Sequence, residues 1–343
     1  MSKAVLILNL GTPAQPTAKG LRQFYKYFFS DPNVFDMNPV ARWLLRNLVI
    51  MPFRAPKTAK DYAAIWMEGG SPLKVYADRV QLSLQNSFNE ANEDVLVLNG
   101  MAYSQPFISE AMAQLEQEGR DEIVVIPMFP QSTTASVFEA VNEAASKWEI
   151  SPKLHFVNDL YAEPAFVRAW SILITRHLKE EEIDHVIFSY HGMPEQAILK
   201  ADDANHCRFG VCCQQISDKN ELCYRAQCIA TTRSITEALA WERDEYSIAF
   251  QSRFGRQAWI KPYLDEHLQD LLGQGINRVA IITPSFVSDC LETIHEIGIE
   301  YKGQFMEGGG RVMQLIPNLN DDPGWCSAVL EISRRHLKMA EFN

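Results

Sequence analysis

The sequence predicts an α/β protein with two similar Rossmann-like domains, each a parallel sheet flanked by helices, with a cleft between them. Short apolar runs that suit buried parallel strands alternate with helical patterns along the chain. The alternation occurs in two sets that are separated around residues 159–164. The predicted strands cover residues 5–10, 95–99, 123–127, 186–190, 247–250 and 279–283.

Helical patterns fill the intervals between these strands. The clearest helices are predicted over residues 108–115, 166–178 and 262–272, and the last begins with a proline that suits a first helical turn. We expect residues 1–160 to form an N-terminal domain. Residues 161–343 then form a C-terminal domain that includes a cysteine-rich loop at 206–228 and a C-terminal helix.

Composition excludes some classes of protein. The 343 residues are 47% hydrophobic, which is enough for two substantial cores. The net charge of -11 argues against a nucleic-acid-binding protein, because no basic surplus is present to neutralise phosphates. The apolar run at 4–8 is too short for a signal peptide or a membrane span. A cytoplasmic location is therefore expected.

Three glutamates, Glu292, Glu296 and Glu300, are spaced four residues apart just after the predicted strand 279–283. On an α-helix each step rotates by about 40°, and a π-type turn would hold the carboxylates closer to one line. Such a line suits a divalent cation or a proton path. A solvated acidic helix face is the usual meaning of this spacing. The position after a strand end favours a functional site, because open α/β sheets bind ligands there.

A histidine, His191, follows the predicted strand 186–190 and precedes Gly192 and Pro194, which favour a turn. An imidazole in this place can act as a base near neutral pH. A lone histidine is more often structural, and the position at a strand end beside a glycine makes the functional interpretation about equally frequent. The glutamates at another strand end favour the functional interpretation.

The strand ending at residue 250 leads into a polar and aromatic turn that contains Gln251, Ser252, Arg253 and Trp259. Amide, hydroxyl and guanidinium donors beside aromatic rings could recognise a flat apolar ligand that carries carboxylates. The alternative is a polar turn anchored to the core by Phe254 and Trp259.

The segment from 24 to 54 is aromatic, apolar and locally basic in an acidic chain. It could lie in a membrane interface or line the mouth of an apolar pocket. A helix packed in the core, with Arg42 and Arg46 reaching solvent, is the alternative.

Five cysteines crowd into one loop: Cys207, Cys212, Cys213, Cys223 and Cys228. In a reducing cytosol such thiolates indicate metal, and four of them suit a [2Fe-2S] cluster or, alternatively, a structural zinc. A disulfide pair is a further alternative. By adjacency the spare is either Cys212 or Cys213, and His206 could replace a thiol.

Five motifs together resemble the ferrochelatase family, in the same order and over nearly the whole chain. They lie at residues 9–13, 69–72, 189–194, 251–255 and 288–293. The resemblance implies a chelatase-type fold and a lyase that inserts ferrous iron into protoporphyrin IX, the last step of haem biosynthesis. The alternatives are a coproporphyrin ferrochelatase and a non-catalytic haem- or iron-sulfur-binding protein of the same fold.

The resemblance also implies roles for individual residues. His191 matches the family's proton acceptor or metal-site histidine, and Glu292 matches its partner glutamate across the macrocycle. Glu296 and Glu300 match an acidic line that leads away from it and could carry the iron substrate. Substrate-binding positions are matched by Arg54, Tyr62, Ser71, Gln251, Ser252, Arg253 and Trp259.

The resemblance further implies binding partners, and at some positions the sequence departs from the family pattern. Porphyrin and ferrous iron are the expected substrates, and other haem-pathway enzymes are candidate partners. The segment 24–54 resembles a lip that faces the membrane, so peripheral association with the inner membrane is expected. Some members carry a [2Fe-2S] cluster, usually on C-terminal cysteines. Cys290 replaces a histidine found in some members, and the loose matches at 100–103 and 129–134 carry over no pocket contacts from Ala102 or Ser132.

Overall fold

A computed structural model describes residues 2–34, 37–178, 182–255 and 257–339. These residues form two compact units. Unit 1 comprises the described residues of Met1–Met128, Thr133–Asn158 and Cys326–Asn343. Unit 2 comprises those of Phe129–Ser132 and Asp159–Trp325. Unit 1 thus includes the described residues after Trp325, which the sequence analysis assigned to the C-terminal domain.

The described part of unit 1 contains a four-stranded parallel sheet with the order β2-β1-β3-β4. Its strands are β1 (Lys3–Asn9), β2 (Val95–Met101), β3 (Glu122–Pro127) and β4 (Lys153–Phe156). The first three confirm the predicted strands, and their side chains are almost all buried, as a parallel sheet covered on both faces requires. β4 was not predicted, because this short edge strand is partly exposed and lacks a continuous apolar run.

The helices of unit 1 begin at recognisable caps. Thr17 accepts a hydrogen bond from the backbone of Gly20 at the start of α1, and Ser71 accepts one from Lys74 at the start of α4. The α-helices are α1 (Ala18–Phe28), α2 (Pro39–Leu44), α3 (Ala55–Ile65), α4 (Pro72–Glu90), α5 (Ile108–Gln117) and α6 (Ala135–Ala145). A π-helix, Leu45–Arg54, joins α2 to α3.

The described part of unit 2 contains a second four-stranded parallel sheet, with the order β6-β5-β7-β8. Its strands are β5 (His185–His191), β6 (Tyr246–Gln251), β7 (Arg278–Ile282) and β8 (Val312–Leu315). The first three were predicted, and the short partly exposed β8 was missed. Because β5 lies between β6 and β7, the residues that follow these three strands share one edge of the sheet.

The helices of unit 2 surround this sheet. They are α7 (Pro164–His177), α8 (Glu195–Lys200), α9 (Tyr224–Leu239), α10 (Leu264–Gly273), a π-helix (Leu291–Tyr301) and α11 (Lys302–Glu307). The last helix, α12 (Pro323–His336), starts in unit 2 and continues in unit 1.

The predicted start of α10 at Pro262 was wrong. The helix begins at Leu264, with the extended residue Tyr263 before it. The carbonyl oxygen of Pro262 instead accepts a hydrogen bond from the backbone of Phe250 at 2.8 Å. The proline therefore belongs to the connection from β6, and this connection positions the turn that contains Trp259.

Unit 2 is held together by a core of fully buried apolar side chains. Ile281 of β7, Leu268 of α10, Ile297 of the π-helix and Phe305 of α11 belong to one cluster. Burial of each such side chain stabilises the fold by about 1.5–3 kcal/mol. The π-helix is thus fixed to the sheet by its apolar face, and its glutamates lie on other faces.

Among the residues that the structure describes, no helix is both long enough and apolar enough to cross a membrane.

Candidate functional site

The carboxyl ends of three adjacent strands in unit 2 bring the predicted site residues together. His191 is the last residue of β5 and pairs with Gln251, the last residue of β6. β7 ends at Ile282 and leads to the π-helix that contains Glu292. This is the edge of an open parallel sheet at which α/β proteins place their sites.

The backbone of His191 is fixed by two hydroxyl groups. Its N–H donates to Oγ of Ser285 at 3.0 Å, and its carbonyl oxygen accepts from the Tyr224 hydroxyl at 2.7 Å. Neither partner was predicted from the sequence. Ser285 follows β7 in a Thr-Pro-Ser run, and this polar run after a strand was the signal that could have identified it.

The ring of His191 is oriented by its neighbour. Nδ1 lies 2.6 Å from the carbonyl oxygen of Gly192. Because a carbonyl oxygen can only accept, this contact assigns the proton to Nδ1. In the neutral ring Nε2 then has the lone pair, so the half-buried imidazole can accept a proton or bind a cation through Nε2.

Gly192 allows a close approach of two backbone segments. Its N–H donates to the carbonyl oxygen of Gln251 at 2.7 Å. A Cβ at this position would lie 2.7 Å from that oxygen and 3.1 Å from Cε3 of Trp259. Trp259 is 8% exposed, and its Nε1 donates to the carbonyl oxygen of Phe254 at 3.0 Å. The contacts of Trp259 therefore stabilise the turn that follows β6.

Gln251, the last residue of β6, and Ser252, which follows it, form hydrogen bonds to the π-helix Leu291–Tyr301. Nε2 of Gln251 donates to the carbonyl oxygen of Glu292 at 2.8 Å, and Oγ of Ser252 donates to Oε2 of Glu296 at 2.6 Å. Ser252 has a φ of 63°, in the left-handed region that side chains other than glycine rarely adopt. The structure thus joins four of the predicted residues within unit 2.

The three glutamates differ in their surroundings. Glu292 and Glu296 are half-buried, whereas Glu300 is exposed and lies 3.7 Å from Nδ1 of His295. Burial raises the pKa of Glu296 to about 7, the Ser252 hydroxyl opposes this rise, and the charge of Glu292 adds to it. Glu296 can therefore take up and release a proton near neutral pH.

A buried polar network below the first turn of the π-helix was not predicted. Asp289 accepts hydrogen bonds from Nδ2 of Asn320 at 2.7 Å and from Oγ1 of Thr293 at 3.0 Å, and its own N–H donates to Oδ1 of Asn320. Burial raises the pKa of this carboxyl. The network ties the segment after β8 to the turn that precedes Glu292.

Arg253 contacts protein side chains that the predicted role in substrate binding did not include. Its guanidinium is 2.6 Å from a carboxylate oxygen of Asp265 and 3.4 Å from one of Glu266, and it stacks over the ring of Tyr263 at 4.3 Å. These contacts with α10 account for its position. A role in binding substrate carboxylates stays a prediction for this residue.

The other three predicted substrate-binding residues belong to unit 1. Ser71 is 1% exposed and caps α4, so its hydroxyl has a structural function. Tyr62 packs edge-to-face against Trp66 with ring centroids 6.2 Å apart. Arg54 is an exposed residue at the end of the π-helix Leu45–Arg54.

The same π-helix and α2 expose an apolar surface in unit 1, which we call the apolar lip. Its members are large side chains at least 43% exposed: Val40, Trp43, Leu44, Leu48, Val49 and Phe53. The interior of this segment packs through Ile50, which is 2% exposed, against Leu21 and Tyr25. The segment therefore combines exposed apolar side chains with an inward side that packs in the core of unit 1.

The cysteine loop is organised by two polar side chains. Asp202 accepts hydrogen bonds from the backbones of His206 and Cys207, at 3.0 Å and 2.7 Å. Nδ2 of Asn220 donates to the carbonyl oxygens of Cys212 and Gln215, at 2.8 Å and 2.9 Å. The loop thus has a defined conformation.

Four of the five thiols in the loop approach one another. The sulfurs of Cys212 and Cys213 are 3.7 Å apart, Cys207 interacts with Cys212, and Cys213 interacts with Cys223. Cys228 is different: its fully buried thiol contacts Tyr224. It lies five residues beyond Cys223 along α9, roughly 7.5 Å at the helical rise. The structure therefore separates Cys228 from the other four thiols. The sequence predicted Cys212 or Cys213 as the spare, and the identity of the spare thiol stays a prediction.

Electrostatics distinguish the thiols further. A hydrogen bond from the Cys223 thiol lowers the pKa of Cys213, and contact with Arg225 lowers it further. The same hydrogen bond raises the pKa of Cys223. The five cysteines of the loop form no disulfide bond. Over the described ranges, no three His, Cys, Asp or Glu side chains are arranged to hold a metal ion, so the thiols meet in pairs.

Comparisons with known proteins identify the family of this chain. The ferrochelatase family model matches residues 2–337. Ferrochelatase from Coxiella burnetii (strain CbuK_Q154) is 37% identical over 340 residues, covering 98% of this chain and 94% of the relative. Ferrochelatase from Legionella pneumophila (strain Paris) is also 37% identical over 340 residues, covering 98% of this chain and all of the relative.

Solved structures with the same fold include chelatases. SirB from Bacillus subtilis, solved with Fe3+, matches with a TM-score of 0.53 at 11% identity, over 98% of this chain and 96% of SirB. Sirohydrochlorin chelatase SirB from Bacillus subtilis subspecies spizizenii, solved with cobalt, gives 0.52 at 11% identity over the same shares. At this identity the likeness concerns the fold, and the predicted α/β class is confirmed. With its family model and these relatives spanning nearly all of its residues, the chain belongs to the ferrochelatase family.

Proposed function

We propose that this protein is a ferrochelatase that inserts ferrous iron into protoporphyrin IX and so forms protohaem. The observation that carries the proposal is the convergence of His191, Gln251 and the Glu292 turn at one sheet edge. Membership of the family and the names of its relatives support it.

The chemistry of insertion matches the groups present. A metal ion can enter the ring only as two pyrrole protons leave, so the site needs proton acceptors beside the macrocycle. Nε2 of His191 is one acceptor in the neutral ring, and the half-buried Glu292 is the second. A pocket that binds the ring in a bent form would favour the transition state, because bending exposes the nitrogen lone pairs.

Glu296 favours proton transfer over cation transport along the glutamate line. Its pKa of about 7 and its hydrogen bond from Ser252 suit a group that exchanges protons with Glu292. The exposed Glu300 would then pass the proton to solvent. The iron substrate would reach the ring by another route.

An insertion assay tests the proposal. Loss of porphyrin fluorescence is followed with ferrous iron or zinc, separately for protoporphyrin and coproporphyrin. We expect insertion into protoporphyrin. A clear preference for coproporphyrin would show that coproporphyrin is the substrate instead. Tight porphyrin binding without insertion would show a non-catalytic binding protein instead.

We also propose that the four contacting thiols, of Cys207, Cys212, Cys213 and Cys223, hold a [2Fe-2S] cluster. Four thiolates are the donor set of such a cluster, and the loop already places them in contacting pairs. The cluster would supply one-electron chemistry or local stability to the loop. Structural zinc is the alternative for the same ligands.

Metal analysis of anaerobically purified protein separates these alternatives. We expect iron and acid-labile sulfide in equal amounts, and zinc without sulfide would rule out the cluster. Cys223→Ser should remove the bound metal. Cys228→Ser is the matched control, because this buried thiol lies outside the contacting set, and it should keep the metal.

Finally, we propose that the apolar lip binds the surface of the inner membrane from the cytoplasm, where the apolar porphyrin is taken up. The segment 37–60 contains the cations Arg42, Arg46, Arg54, Lys57 and Lys60 and no acidic residue, in a chain of net charge -11. Apolar area flanked by cations suits anionic lipid.

Flotation with vesicles tests this association. Vesicles of phosphatidylglycerol and phosphatidylcholine should carry the wild-type protein upwards, and Phe53→Ser with Trp43→Ser should weaken binding about tenfold or more. Ile150→Ser is the control, because Ile150 is 82% exposed and lies outside the lip. Equal flotation of all three proteins would contradict the proposal.

A further inference from the structure

We propose that Gln251 is a positioning residue that fixes Glu292 relative to His191, and that it does not contact the substrate. Its side chain is 1% exposed. Oε1 accepts a hydrogen bond from the Ser189 hydroxyl at 2.7 Å, and Nε2 donates to the carbonyl oxygen of Glu292 at 2.8 Å. Both polar atoms of the amide are thus used inside the protein.

These two bonds connect the strand that contains His191 to the backbone of Glu292, and these two residues are the proposed proton acceptors. Ser189 and His191 are two residues apart on β5, so their side chains lie on the same face of the sheet. Glu292 is in the first turn of the π-helix Leu291–Tyr301. The path from Ser189 through Gln251 to Glu292 therefore sets where the first turn lies relative to the end of β5.

The chemistry of the two partners requires an amide. The Ser189 hydroxyl donates to Gln251 and the Glu292 carbonyl can only accept, so the residue between them must offer one acceptor and one donor. A carboxylate would offer acceptors alone and would repel the carbonyl oxygen of Glu292. An asparagine is shorter by one methylene and cannot reach both partners.

The inference rests on the proposed function, and kinetics give its first test. Gln251→Met keeps the side-chain length and removes both hydrogen bonds. We expect kcat for zinc insertion to fall about 10- to 100-fold, because small displacements of reacting groups have effects of this size. KM for porphyrin should stay within about twofold, since the contacts to the ring are kept.

Two further variants separate positioning from general damage. Ser189→Ala should lower kcat less, and its combination with Gln251→Met should be no slower than Gln251→Met alone, because the residues act in one chain. Ser247→Ala is the matched control. Ser247 is on β6, the strand that contains Gln251, but lies away from the site, and its hydroxyl is bonded to His185 and His267. Its removal should leave kcat within about twofold.

Hydrogen exchange gives a readout that needs no activity. Backbone amides of the π-helix should exchange about tenfold faster in Gln251→Met and in Ser189→Ala, and not in Ser247→Ala. Unchanged exchange, or a raised KM with kcat retained, would overturn the inference. If the wild-type protein inserted no metal, the proposed function would fail, and the exchange rates would still decide whether Gln251 holds the π-helix.

Discussion

The hydroxyl of Ser252 donates a hydrogen bond to a carboxylate oxygen of Glu296 over 2.6 Å. Ser252 reaches this position with a φ of 63°, a conformation that is unfavourable for a residue with a Cβ. The bond favours the charged form of a carboxyl group whose pKa burial has raised to about 7. The pair therefore sets the pH at which Glu296 gains and loses its proton.

Removal of the Ser252 hydroxyl should move the pH dependence of turnover. In Ser252→Ala the carboxylate loses the donor that lowers the pKa of Glu296, so this pKa rises further. We expect the acid limb of the kcat profile to be half-maximal near pH 7 in the wild type, and to shift by roughly one pH unit to higher pH in the variant. Zinc insertion measured from pH 5.5 to 9 checks the shift.

A second variant controls for backbone strain at this position. Ser252→Gly also lacks the hydroxyl and accepts the left-handed φ without strain. Both variants should show the same shift in pH profile, although the glycine variant should be the more stable. A shift in the alanine variant alone would attribute the effect to strain and contradict the role of the hydrogen bond.

Stability should fall with rising pH because of Glu296. The pKa of its carboxyl is 4.5 in the unfolded chain and about 7 in the folded protein. Between these values the folded state binds more protons, so the free energy of unfolding decreases as pH rises from 4.5 through 7, by about 3 kcal/mol. Urea unfolding of wild type and Glu296→Gln at pH 5 and pH 8 measures this difference.

The neutral glutamine should remove this contribution. Glu296→Gln is expected to lose less stability than the wild type between pH 5 and pH 8. Glu307→Gln, which alters a glutamate at the end of α11, is the control and should behave like the wild type. Equal slopes for all three proteins would show that Glu296 does not titrate in this range.

Much of this site could be predicted from the sequence because strand ends are local features. His191, Gln251 and the glutamate run each follow an apolar strand, and a parallel sheet brings such ends together. The pairing of Ser252 with Glu296 could not be predicted. It depends on a left-handed residue and on the position of the π-helix, which are set by packing and leave no periodic signal.

The buried network around Asp289 was missed for a related reason. Its partners Asn318 and Asn320 come from a segment 29 to 31 residues further along the chain, where the sequence shows only polar residues after an unpredicted edge strand. The arrangement of the cysteine thiols could not be predicted either, because adjacency in sequence does not give the distances to thiols further along the chain. The α-helical rise separates Cys228 from Cys223, while the adjacent Cys212 and Cys213 both stay with the other thiols.

The three glutamates should contribute unequally to turnover. Glu292 is in the first turn of the π-helix beside Gln251, Glu296 is one step further and half-buried, and Glu300 is exposed. We expect Glu292→Gln to lower kcat about 10²–10⁴-fold, the usual range for loss of a proton acceptor, Glu296→Gln about tenfold, and Glu300→Gln less than about threefold. Zinc insertion at pH 8 measures all three, and an equal loss for each would contradict the relay.

A pair of histidines at the opposite end of this sheet should make unit 2 sensitive to acid. Nε2 of His185 and Nε2 of His267 lie 2.9 Å and 2.7 Å from the same hydroxyl, that of Ser247. Burial lowers the pKa of both rings, and the charge of His267 lowers that of His185 further, against opposing effects of Asp244 and Asp270. The unfolded chain therefore binds protons on these groups at a higher pH than the folded protein.

The expected consequence is a loss of stability as pH falls below about 6.5, the ordinary histidine value. The double variant His185→Gln and His267→Gln keeps groups that can bond the Ser247 hydroxyl but cannot become charged. Between pH 7 and pH 5 its thermal unfolding midpoint should fall less than that of the wild type, by several degrees. His177→Gln, which removes a histidine at the end of α7 in the same unit, controls for the loss of one imidazole. If the double variant and the wild type lost stability in parallel, the acid sensitivity would have to come from groups other than this pair.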